Sequence, residues 1–134
     1  MNQQTKLAKP FHRRFIKSKG GSFKADYVSH STVTEFLIGI IGNFSWQHVC
    51  WIHGKDGALE GGVFRLTATI DGQQVVIEEC GAVERPAPNA GERAKDISSD
   101  AIKRCAMRLG LGLHLWSQDD YILYNTLSKG EDDA

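Results

Sequence analysis

The sequence predicts an α+β domain in which an antiparallel three-stranded meander packs on helices, with one helix before the strands and one after them. Three observations predict it. Val33, Phe36, Leu37, Ile40 and Ile41 recur at the spacing of one helical face. Two β-branched runs, 63–70 and 73–80, meet at Asp71-Gly72, the dipeptide favoured in a two-residue type I′ hairpin. Beyond them Ala94, Ile97, Ala101, Cys105 and Leu109 return at steps of three or four, which lines one face of a second helix.

Each element follows from its own chemistry. Residues 1–25 show neither helical nor alternating periodicity and close on Lys19-Gly20-Gly21-Ser22, so a flexible basic arm is expected there. Tyr27 and Val28 read as an extended lead-in. Ser29 to Thr32 supplies N-cap candidates, with Thr32 and Glu35 spaced as a capping box. Gly42-Asn43 stops the first helix, and Gly39 inside it offers room for a close backbone contact. The stretch 44–53 is aromatic and β-branched enough for a strand. Simple alternation sets its Trp46 and Trp51 on opposite faces, both therefore covered, one of them by a neighbouring subunit. Residues 54–62, with four glycines, read as a mobile loop.

The hairpin is the most sharply defined element. A two-residue turn at Asp71-Gly72 pairs Ala68 with Val75, Leu66 with Ile77 and Phe64 with Glu79, and sets Arg65 opposite Glu78. Residues 81–91 form a loop carrying Pro86 and Pro88, and the second helix opens near Glu92. Gly110 and Gly112 read as the turn that closes it. The expected organisation is an arm over 1–25, a core over 26–117, and an acidic, partly helical segment over 118–134.

Length and composition fit one soluble core: 134 residues with 41% hydrophobic and 24% charged side chains. The longest strongly apolar run, 36–41, is too short to span a bilayer, and the basic N-terminus has no apolar run of the secretory kind behind it. A cytoplasmic protein with no membrane partner is therefore expected. Cys50, Cys80 and Cys105 form no CxxC pair, and each stands where a small apolar side chain suits, so buried reduced thiols are expected. Net charge is zero but unevenly spread. Seven Lys or Arg and no acid occupy 1–24, while five acids face Lys129 alone over 110–134. Such ends serve as interaction segments or merely keep a chain soluble.

Bond-making chemistry finds little support. Glu78 and Glu79 point to opposite faces of a strand and do not converge on a cation with Asp71. Gly110-Leu111-Gly112 follows a helix and lacks the Lys-Ser/Thr of a phosphate loop, so no nucleotide cofactor is expected. No metal-ligand cluster forms among the five histidines. Binding is the better reading. Lys103, Arg104 and Arg108 place three cations on one helix segment, with Arg104 and Arg108 sharing a face at i and i+4, as a single strand's phosphates would require. A plainer reading stands beside it: Asp100, four residues before Arg104, is placed to pair with it. Trp116 and Tyr121 likewise suit a core or an interface as well as a base-stacking role.

The span from Tyr27 to Trp116 resembles the Rad fifty-two-type single-strand annealing proteins, including their compact bacteriophage members. The likeness lies in Tyr27-Val28-Ser29 through Val33, Ile41-Gly42 and Trp46, then Glu78-Glu79-Cys80-Gly81-Ala82. It continues in Ser99-Asp100-Ala101-Ile102-Lys103-Arg104-Cys105-Ala106, followed by Leu109-Gly110 and Gly112. The resemblance implies a β-β-β-α core preceded by a helix, assembled as a homo-oligomeric ring or filament in the host cytoplasm. It implies ATP-independent binding and annealing of single-stranded DNA in recombination or repair, with Lys103 and Arg104 matching the family's DNA-binding pair. Arg108 follows at a spacing one residue longer than in the eukaryotic members, and Thr32 stands where those members carry an arginine. Arg65 and Lys55 join the expected DNA contacts, and the basic arm offers a second contact, to duplex DNA or to the displaced strand. The alternative expectation is a protein-interaction or regulatory module on the same fold.

Overall fold

The three-stranded antiparallel sheet runs in the order β3-β4-β5, formed by β3 (Ser45–His53), β4 (Leu59–Ile70) and β5 (Gln73–Ala82). It packs on the long helix α3 (Ala90–Arg108), in a computed structural model that describes residues 1–18 and 26–132. The mixed α+β class predicted from sequence is the class observed. The remaining elements are α1 (Gln3–Ala8), a two-stranded ribbon of β1 (Lys17–Ser18) and β2 (Asp26–Tyr27), α2 (His30–Ile41) and α4 (Leu123–Asp132). The chain divides into two compact units, Met1–Gly42 with Ala106–Ala134, and Asn43–Cys105.

In the second unit the β4–β5 hairpin has the register expected from sequence: Ala68 faces Val75, Leu66 faces Ile77, Phe64 faces Glu79 and Arg65 faces Glu78. Asp71 and Gly72 carry φ of 49° and 81°, the two positive values a type I′ turn requires. Alternation sends Gly62, Phe64, Leu66 and Ala68 toward α3, where Phe64 packs with the fully buried Ile97 and Ala101. The predicted stripe of α3 is therefore its core face, and Cys105 is fully buried with it.

Strand β3 departs from simple alternation. Its pairing steps from His48–Phe64 to Cys50–Val63, so Val49 is an extra residue, a β-bulge. One inserted residue returns Trp51 to the face of Trp46 and His48. Trp46 stacks on Phe64 at 5.0 Å, and Trp51 meets the same ring edge-on at 5.9 Å. Trp46 Nε1 donates to Ser98 Oγ at 3.2 Å, tying the strand to α3. The two tryptophans thus share a face instead of dividing between two. The bulge also turns Cys50 outward, beside Val63 and Cys80 in one row across the open face. Cys50 and Cys80 are exposed and only Cys105 is buried, which corrects the expectation of three buried thiols.

The loop expected over 54–62 shrinks to a tight connection. Gly54 N–H donates to Ala58 O, Asp56 accepts from Ala58 N–H, and Gly57 supplies a φ of 82°. Gly61 and Gly62 belong to β4 and are buried. A Cβ on Gly62 would stand 2.9 Å from the Trp51 ring and 3.2 Å from Ile97, so its glycine character reflects close packing.

In the first unit α2 buries Val33, Leu37 and Ile41 and ends at Gly42, with φ 74°. It begins three residues before the expected capping box. Ser29 is the N-cap, and its hydroxyl bonds Thr32 Oγ1. Gly39 is exposed, with nothing within 4 Å of a Cβ built there, so it makes no close contact.

The segment expected to be a flexible arm is ordered over its described part. Asn2 caps α1 by accepting from Thr5 N–H, and Thr5, Leu7, Ala8 and Phe11 are buried. Lys19 to Lys24 lie outside the described residues. Glu131 of α4 accepts from Asn2 N–H at 2.6 Å and from the Thr5 hydroxyl at 3.0 Å, and Tyr121 OH donates to Ala8 O. The acidic C-terminal segment is thus helical over Leu123–Asp132, and this helix is tied to the N-terminus. After α3, Gly110 at φ 103° and the Leu111 N–H to Ala106 O bond form a Schellman closure. This is the helix-closing turn expected at Gly110.

Candidate nucleic-acid interface

Helix α3 opens on Asn89, whose Oδ1 accepts from Glu92 N–H at 2.9 Å. From there five cations and three carboxylates are distributed along its nineteen residues. Four of these eight charges, Arg93, Asp96, Asp100 and Arg104, make structural contacts. Arg93 Nε donates to Leu59 O at 2.6 Å and its Nη1 to Ala87 O at 3.2 Å, which pins the start of β4 and the preceding loop to the helix. Arg85 pairs with Asp96 at 3.2 Å across that loop, and its exposed guanidinium is held above its ordinary pKa by the carboxylate.

Arg104 is the most tightly specified of the predicted site residues. Its Nε donates to Asp100 Oδ2 at 3.0 Å, one helical turn back. The same oxygen accepts from Ala82 N–H at 2.9 Å, at the last residue of β5. Asp100 has only 6% of its side chain exposed, whereas Arg104 has 35%. A buried carboxylate with two donors therefore fixes the guanidinium in orientation at the rim of the helix. The plainer reading of Arg104 as a paired residue describes this contact, with one difference. Asp100 is a buried anchor, not half of a surface pair. Neighbouring Lys103 is half-buried on the same helix, and Arg108, the last helical residue, is exposed.

Of the remaining predicted contacts, Arg65 does not join them. Arg65 points to the sheet face opposite α3 and pairs with Glu78 at 2.7 Å. Lys55 is exposed in the β3–β4 turn. Lys103 and Arg104 are consecutive residues of α3, about 100° apart around its axis, whereas Arg65 faces away from the helix.

Among the described residues no group of three His, Cys, Asp or Glu side chains is arranged to hold a metal ion. Glu78 is engaged by Arg65, and Glu79 lies on the opposite face of β5. Among those residues no helix is long and apolar enough to cross a membrane.

Sequence reasoning missed two features. The open sheet face carries Ile52 and Val76, 42% and 53% exposed, with Cys50 and Cys80 between them. Only the bulge at Val49 reveals that grouping. The other is the ordered N-terminal segment, whose short helix depends on contacts with α4, far away in sequence. No protein-family model matches the chain, and no curated protein matches it at a significant level.

Proposed function

We propose that this chain binds single-stranded DNA and anneals complementary strands without nucleotide hydrolysis, acting as a homo-oligomer of the Rad fifty-two type. Lys103 and Arg104 hold the phosphate backbone, and Arg108 extends the contact one turn along α3. The observation that carries the reading is the anchoring of Arg104 by Asp100, which fixes a partly exposed guanidinium on α3. A cation already oriented loses little freedom on meeting a phosphate, and phosphate contact needs no sequence readout. Annealing demands that combination, because the bases must stay available for pairing.

Replacing Lys103 by Ala and Arg104 by Gln tests the proposal, since glutamine retains a donor for the buried Asp100. Single-strand affinity at low salt is expected to fall at least ~10-fold with the unfolding midpoint held, and wild-type affinity is expected to fall as salt rises. Undiminished binding by the folded double variant overturns it.

A protein-interaction module is the second reading, favoured by the exposed Ile52, Cys50, Cys80 and Val76 on the open sheet face. A monomeric protein that leaves single strands unprotected from nuclease decides for it. A multimeric particle that grows on an added oligonucleotide, seen by electron microscopy, decides for annealing.

A further inference from the structure

The N-terminal segment concentrates positive charge more completely than α3 does. Its first eighteen residues hold Lys6, Lys9, Arg13, Arg14 and Lys17 and no acid, whereas α3 balances five cations with three carboxylates. All five N-terminal cations are exposed. Among the described residues, no carboxylate forms an ion pair with Lys9, Arg13, Arg14 or Lys17. The nearest acid along the ribbon, Asp26, accepts from the Ser18 hydroxyl at 2.8 Å.

These cations sit on a fixed backbone. Phe11 is buried and meets Phe36 of α2 edge-on at 4.9 Å, and Phe15 meets the same ring at 5.2 Å. Between those two anchors the chain makes a 3-10 turn, Arg13–Phe15, capped by His12, whose Nδ1 accepts from Arg14 N–H at 3.1 Å. The Arg14 guanidinium lies 4.6 Å from the centre of the Phe15 ring. Lys17 follows in β1, paired with Tyr27 of β2. Two aromatic rings thus hold a short ledge from which Lys9, Arg13, Arg14 and Lys17 project into solvent.

We infer that this ledge is a second phosphate-backbone site, separate from Lys103 and Arg104, that takes a nucleic-acid strand through Arg13 and Arg14. Exposed cations on an anchored turn, with no ion pair among the described residues, meet a polyanion with little ordering cost, and counterion release supplies the affinity. Single-stranded and duplex DNA present the same phosphodiester chemistry, and the two are separated by the test. The inference builds on the strand-binding reading above, and the experiment keeps the two apart.

The measurement is the dependence of affinity on salt, for a single-stranded oligonucleotide and for a duplex of the same length. Four proteins are compared: wild type, R13A/R14A, the double variant K103A/R104Q, and K95A/K129A as a control that removes two exposed cations elsewhere. R13A/R14A is expected to flatten the slope of log K against log salt by about 1.4 on single strands, or about 1.8 on the duplex, as two lost phosphate contacts require. Its unfolding midpoint is expected to stay at the wild-type value, because both side chains are exposed. Flattening on the duplex alone assigns the ledge to duplex DNA, and flattening on the single strand alone assigns it to a strand. An unchanged slope in R13A/R14A, with K103A/R104Q weakened, overturns the ledge and leaves the α3 site standing. Equal flattening in K95A/K129A overturns it as well, since total charge then explains the effect. Failure of wild type to bind either form overturns both readings.

Discussion

Asp100 accepts from Arg104 Nε at 3.0 Å through the oxygen that also accepts from Ala82 N–H at 2.9 Å. A single buried carboxylate therefore joins the end of β5 to α3 and orients the cation proposed to meet DNA. Replacing Asp100 by Ala leaves a strand N–H without its charged acceptor and releases Arg104. A loss of about 2 to 3 kcal/mol is expected, since a hydrogen bond to a charged group contributes roughly 1.5–3 kcal/mol and Arg104 is partly solvated. Asn at this position keeps one acceptor and is expected to cost about 1 kcal/mol. Chemical denaturation checks both, and an Ala variant as stable as wild type removes Asp100 from its anchoring role.

A second contact closes the same junction. A Cβ on Gly81 would stand 2.1 Å from Ile97 O and 2.8 Å from Ala101 N, so the β5 backbone lies directly on that of α3. Backbone atoms cannot turn aside as a flexible side chain can. Gly81→Ala is therefore expected to cost about 3 kcal/mol or more, or to prevent folding, whereas Gly72→Asn in the exposed turn is expected to cost under about 1 kcal/mol. Thermal unfolding of the two variants side by side is the check. Equal, small losses would show that α3 can move away from the strand at little cost.

What could be read in the sequence was what local chemistry decides. Asp71-Gly72 dictates a two-residue turn, and the turn dictates every pair from Ile70–Gln73 back to Phe64–Glu79. The spacing of Ile97, Ala101 and Cys105 likewise marks the buried face of α3. The bulge at Val49 carries no glycine or proline signal, yet it moves Trp51 and Cys50 to the faces opposite those that alternation assigns. Helix α1 has only six residues, too short to show a period, and Glu131 completes its N-terminal contacts from the other end of the chain. The i, i+4 spacing made the Asp100–Arg104 pair legible, but not the Ala82 N–H that makes Asp100 an anchor.

The three thiols are expected to differ in reactivity. Cys105 is fully buried, with Sγ directed at Ile77 O, and burial and the nearby Glu79 charge push its pKa up to about 12. Cys50 and Cys80 are exposed on the open sheet face. A thiol-directed maleimide at mildly alkaline pH is expected to label Cys50 and Cys80 in the native protein and Cys105 only after denaturation. Mass spectrometry of the labelled peptides reads the order directly. Early labelling of Cys105 would mean that α3 lifts from the sheet in the native state. If a copy of the chain covers the open face on assembly, protection of Cys50 and Cys80 with rising concentration reports it.

His114 gives the first unit an expected sensitivity to acid. Its ring lies among Phe11 and Tyr121, both 5.9 Å away, and neither ring nitrogen has a partner among the described residues. Burial lowers its pKa below the ordinary 6.5. In the window between the lowered folded pKa and 6.5 the unfolded chain binds more protons than the folded one, so stability rises with pH there. The contribution is complete above 6.5 and is lost as pH falls through that window. His114→Phe retains an aromatic ring, removes both orphaned nitrogens, and is expected to abolish this part of the acid sensitivity while raising stability at neutral pH by about 1 kcal/mol. The other four histidines are exposed and remain in both proteins. Denaturation midpoints of the two proteins are expected to differ by that offset alone at neutral pH and to diverge further as pH is lowered. Parallel curves from about pH 7.5 to about pH 5 would rule out His114 as the source.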